Sequence, residues 1–123
     1  MMRALWFLAY AGCADPAPAE WSYVYASVLQ PSCTTSACHS SLSTAGGVDL
    51  HDASAAYRAL AGRDCDDTAA PITGYVDTND PSASFLSVLL RREGPTGMPP
   101  NGRLSESEID RIEAWMQAGA LCE

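Results

Sequence analysis

The segment Cys33-Thr34-Thr35-Ser36-Ala37-Cys38-His39 constrains this chain more than any other. Two thiols stand with four residues between them, and an imidazole follows directly after the second. Thiols can add across the vinyl groups of a haem, and the adjacent imidazole then falls beneath the iron as its proximal ligand. The commoner spacing has two residues between the cysteines, so this loop is longer by one small bulge. Gly97-Met98-Pro99-Pro100, far downstream, places a thioether on a Pro-rich loop, which is what a His/Met site needs on its other face. Two other readings use the same residues. One is a small Cys33–Cys38 disulfide loop beside a surface histidine. The other is a zinc site, which needs four ligands and would have to recruit His51, Cys65 or Cys122.

The apolar periodicity around these motifs is helical. Trp21, Val24, Tyr25, Val28 and Leu29 form one stripe and predict a helix over Glu20 to Gln30, ended by Pro31. Residues 40–47 are Ser/Gly-rich and read as loop, with Val48 and Leu50 turned inward. Asp52 is placed to cap a short helix over Ala53 to Leu60, with Tyr57 and Leu60 facing the core and Gly62 stopping it. Arg63 to Thr78 is polar, acidic and predicted as loop. Asp80-Pro81 reads as an N-cap followed by proline at the first helical position, opening a helix to about Arg92 with Phe85, Leu86, Val88 and Leu89 as its apolar face. After the 93–103 loop, Ser105 and Glu108 have the spacing of a capping box. The helix they open buries Ile109, Ile112, Trp115 and Met116 and stops at Gly119. No strand ladder and no repeat interrupts this pattern, so the fold class is all-α.

Taken in order, Gln30-Pro31-Ser32-Cys33, Cys38-His39, Gly46-Gly47-Val48-Asp49-Leu50, Asp80-Pro81-Ser82-Ala83-Ser84-Phe85-Leu86, Met98-Pro99-Pro100 and Trp115-Met116-Gln117-Ala118-Gly119-Ala120 resemble the small class I-like cytochrome c domains of bacteria. The resemblance runs from roughly Ala19 to Leu121, and some members of that wider group carry the longer spacer. It implies three to five helices wrapped around one covalent haem c, with the first and last helices crossing. It also implies thioethers at Cys33 and Cys38, His39 as proximal ligand and Met98 as distal ligand. Met116 and His51 are the rival distal ligands, but Met116 falls on a core stripe and His51 precedes a helix cap. Trp115 and Tyr75 are candidate pocket packers or propionate donors. Arg103 is a candidate propionate partner.

The chain has 123 residues, a net charge of −8 and no lysine. That balance argues against nucleic acid, which selects a basic face, and favours a redox partner with a positively charged docking face. Arg3, the apolar run Ala4 to Ala9 and Ala11-Gly12-Cys13 read as a lipoprotein-type signal over 1–12 with Cys13 lipidated. The other reading is an ordinary signal peptide with an incidental cysteine. Residues 13–19 then form a Pro/Ala tether and 20–123 the haem domain, with membrane contact only through the lipid and a periplasmic or outer-membrane-associated location. Of the five cysteines, lipid takes Cys13 and haem takes Cys33 and Cys38, which leaves Cys65 and Cys122 to pair.

The expected function is single-electron transfer by an exported monohaem cytochrome, a carrier rather than an enzyme. Two alternatives remain open from the sequence. One is a haem protein whose labile Met98 exposes the iron to peroxide or a small gas. The other is a haem-free, disulfide-stabilised binding or scaffold lipoprotein.

Overall fold

The computed structural model describes residues 17–123. The signal segment 1–12, Cys13 and most of the tether lie outside the described residues. Within them the chain is all-α: four helices joined by loops and single 3-10 turns, with no strand.

Helix α1 is built from three consecutive segments, Trp21–Val24, Tyr25–Leu29 and Gln30–Cys33. Its five-residue apolar stripe is buried throughout, as the spacing predicts. Pro31 does not end it. The middle segment widens into a π turn, in which the Gln30 amide donates to the Tyr25 carbonyl. This places Pro31 in the first turn of the last segment, where its missing N–H costs little. The helix therefore runs one turn further and delivers Cys33 as its final residue.

Helix α2, Ala53–Ala61, begins where Asp52 accepts from the Ala55 amide at 2.7 Å. It ends at Gly62, whose φ of 72° is left-handed. A side chain there would also collide with the returning chain, since a Cβ would lie 2.8 Å from the Gly74 amide nitrogen. Helix α3, Phe85–Arg91, starts later than the sequence suggests. Asp80 and Pro81 open only a 3-10 turn, Pro81–Ala83, and Ser84 is the true N-cap, its hydroxyl accepting from the Ser87 amide. The inner face of α3 is Leu86 and Leu90, while Phe85 and Val88 remain 53% and 41% exposed. The apolar stripe is thus wider than one core face can cover.

Helix α4, Glu106–Gln117, carries the predicted capping box and buries Ile109, Ile112, Trp115 and Met116. It packs against α1 through Trp21 and Trp115, whose ring centroids are 4.7 Å apart, with Tyr57 of α2 edge-on to both. The polar ends of these rings are satisfied: Trp21 Nε1 donates to the Ala53 carbonyl, Trp115 Nε1 to Leu121 and Tyr57 Oη to Ala120. Cys65, in the loop after α2, and Cys122, after α4, form a disulfide with Cα atoms 5.1 Å apart.

Candidate functional site

Cys33 leaves α1, and the chain then turns back on itself. The His39 amide donates to the Cys33 carbonyl, the Cys38 amide to Thr35 and the Ala45 amide to Cys38. These bonds hold both thiols and the imidazole in one compact loop. Cys33 and Cys38 are both half-buried free thiols, not a disulfide. Burial pushes the Cys33 thiol up to about 11, with the neighbouring Cys38 adding to the shift.

Residues 45–50 brace that loop. A turn through the left-handed Gly46 brings the chain back so that the Leu50 amide donates to the His39 carbonyl at 2.9 Å. His39 Nδ1 lies 3.0 Å from the Val48 carbonyl, which can only accept. Nδ1 therefore carries the proton, and Nε2 is left as the lone-pair nitrogen. A carbonyl accepting from the far ring nitrogen in this way fixes the tautomer and orientation of a metal-binding histidine.

The loop forms part of an apolar cleft of about 320 Å³. Cys33, Cys38 and His39 line it together with Val48 and Leu50. Leu29, Leu60 and Leu90 contribute from the helices, and the Met98-Pro99-Pro100 loop completes it. The Met98 loop is fixed to the end of α3, because the Met98 amide donates to the Leu89 carbonyl at 3.0 Å. Gly97 is obligatory there: a Cβ would approach the Arg92 carbonyl carbon to 2.8 Å. Met98 itself remains 36% exposed at the cleft.

Four sequence-selected residues, Cys33, Cys38, His39 and Met98, are thus gathered in one cleft, and Tyr75 joins them. Tyr75 is pinned on both sides, its amide donating to Leu60 and its carbonyl accepting from Leu86, and its ring stacks on Phe85 at 5.3 Å. The other two pocket candidates are elsewhere. Trp115 does not line the cleft but is 1% exposed at the α1–α4 contact, where Trp21 occupies its face. Arg103 also stands outside the lining and pairs with Glu106, three residues on along its own chain. The rival distal ligands are absent from the lining as well. Met116 is fully buried beside Ser84, and His51 is bracketed by Asp49 and Asp52 at 2.8 and 2.9 Å.

Sequence reasoning missed the Val48 carbonyl, the acceptor that orients His39. Main-chain acceptors carry no residue signature, although Gly46-Gly47 marked the turn that makes this one possible. Among the described residues, no three His, Cys, Asp or Glu side chains cluster as a metal-holding group, so a four-ligand zinc centre has no set to draw on. The donor set present is one imidazole and one thioether beside two thiols in an apolar setting, which suits haem. Among the described residues no helix is long and apolar enough to cross a membrane. Comparisons with protein-family models, curated proteins and solved structures gave no match to this chain.

Proposed function

We propose that the chain is an exported monohaem c-type cytochrome that passes single electrons. The observation that carries this reading is the convergence of Cys33, Cys38, His39 and Met98 on one apolar cleft, with His39 Nδ1 tied to the Val48 carbonyl. Cys33 and Cys38 would hold the haem by thioether bonds, each S–H adding across a vinyl group. His39 Nε2 and the Met98 thioether would hold the iron. When bound, the haem supplies reversible one-electron chemistry at that iron.

The residues of the chain would set the conditions for that chemistry. Leu29, Leu50, Leu60 and Leu90 exclude water, and the Val48 carbonyl raises the electron-donating power of His39. Methionine ligation raises the reduction potential relative to two histidines. A peroxide-cleaving site needs an acid/base pair near the iron, and among the described residues no Asp, Glu, Lys or Arg lines the cleft. That composition favours a carrier over an enzyme. Free thiols at Cys33 and Cys38 likewise favour haem attachment over a scaffold stapled at these residues.

The test is the intact mass and optical spectrum of the chain made in cells with haem-attachment machinery. A mass raised by one haem that survives denaturation is expected, and a haem-free mass would overturn the reading. Met98→Ala is expected to remove the sulfur-to-iron absorption band at long wavelength. A band left unchanged would move the distal ligand elsewhere.

A further inference from the structure

The 48–50 segment that orients His39 is itself held by helix α1. The Val48 carbonyl and the Leu50 amide both meet His39, the first at its ring and the second at its main-chain carbonyl. The Leu50 carbonyl instead accepts from Tyr25 Oη at 3.0 Å, in a buried contact. Among the described residues, His39 and Tyr25 are the only side chains bonded to the main chain of 48–50. Tyr25 is buried on α1, with its ring leaning on Trp21 at 6.1 Å, and it does not line the cleft. Leu50 is buried as well, so its carbonyl has little access to water as a substitute donor. A buried carbonyl that loses its partner is costly, and the segment would shift to recover one.

We propose that Tyr25 is a positioning residue for the proximal histidine: by fixing the Leu50 carbonyl it keeps the Val48 carbonyl aimed at His39 Nδ1. Only Asp49 separates the two carbonyl-bearing residues, and Val48 is extended, with φ of −100° and ψ of 119°. A displacement of Leu50 therefore carries Val48 with it. Helix α1 then serves the site twice. Its last residue supplies the Cys33 thiol, and a residue about two turns earlier sets the aim of His39. The consequence for the iron rests on the electron-carrier reading above. A well-aimed Val48 carbonyl makes His39 the stronger electron donor, which favours the oxidised iron and lowers the reduction potential.

The experiment compares Tyr25→Phe with the parent as haem-loaded full chains. Phenylalanine keeps the ring against Trp21 and removes only the donor. The variant is expected to retain one covalent haem, to show a higher reduction potential, and to exchange its His39 Nδ1 proton about fivefold faster by NMR. Tyr57→Phe removes another buried hydroxyl, the one that donates to the Ala120 carbonyl. It is expected to lower stability and leave both readings at the parent's values. A Tyr25→Phe chain with the parent's potential and exchange rate would overturn the proposal, and so would Tyr57→Phe shifting both as far. Side-chain nitrogen NMR of the full chain made without haem is the second measurement. The parent is expected to hold its His39 proton on Nδ1, and Tyr25→Phe to let part of it move to Nε2. A parent protonated on Nε2, or equal populations in the two chains, would overturn the proposal. A haem-free mass from cells with haem-attachment machinery would overturn the carrier reading alone, since the second measurement still reports on Tyr25.

Discussion

Cys33 shows how position changes what a side chain can do. As the last residue of α1 it is drawn toward the core, and burial lifts its thiol from the ordinary 9.0 to about 11. The folded chain then keeps a proton that the unfolded chain releases. Stability is therefore whole below about pH 9 and falls as pH rises toward 11, by roughly 2 kcal/mol if the shift is fully expressed. Urea unfolding of the free-thiol chain at pH 8 and pH 10.5 measures this, and Cys33→Ala should flatten the slope. A chain with Cys33 in a thioether should show no such slope, so the titration also reports attachment. The gathering of Cys33, Cys38, His39 and Met98 in one cleft was legible, because Cys, His and Met are rare enough for spacing to single them out. Trp115 and Arg103 were not legible in this way, because a tryptophan serves core and pocket equally well. Its packing partner Trp21 lies at the far end of the chain, and an arginine three residues before a glutamate has a local use.

Helix boundaries were readable where the capping group and the apolar stripe coincide, as at Asp52 and Ser105. They were misread where two start signals compete. Asp80-Pro81 and Ser84 are both good openings, and the first was used up by a 3-10 turn. Pro31 was misread as a stop because the π turn that accommodates it has no residue signature. The capping box of α4 permits a quantitative check. Ser105→Ala removes the acceptor for the Glu108 amide and should cost about 1 kcal/mol in a denaturant titration. Hydrogen bonds from the Ser105 amide and hydroxyl hold the Glu108 carboxyl below its usual 4.5. A depressed carboxylate contributes stability above pH 4.5 and loses it as pH falls through its folded value. The Ser105→Ala variant should therefore lose less stability than the parent between pH 5 and pH 3.

Across the molecule, the C-terminal segment closes the structure. The Cys65–Cys122 bridge spans 57 residues, the Ser22 amide donates to the Glu123 carbonyl, and Ala120 and Leu121 accept from Tyr57 and Trp115. Arg63 organises the intervening loop, donating to Tyr57 Oη and to the Thr68 and Ala70 carbonyls. In the chain-entropy model a loop of this length stabilises by up to about 4 kcal/mol. Cys122→Ser should lower the unfolding midpoint accordingly, measured by thermal denaturation of parent and variant without reductant. Reductant should bring the parent down to the variant. A parent unaffected by reductant would mean that the remaining C-terminal bonds suffice alone.

The burial of Cys33 also bears on the order of events when the chain first matures. A single bridge among Cys33, Cys38, Cys65 and Cys122 can form in six ways, and only Cys65–Cys122 leaves both thiols beside His39 free, as in the fold. Thiol–disulfide exchange runs through thiolates, and a thiol held near 11 offers few of them. A chain that collapses before it meets an oxidant thus withdraws Cys33 from exchange and lets the C-terminal pair close. A chain oxidised while still extended has no such filter and will scramble, so the fold itself chooses which sulfurs remain available for chemistry.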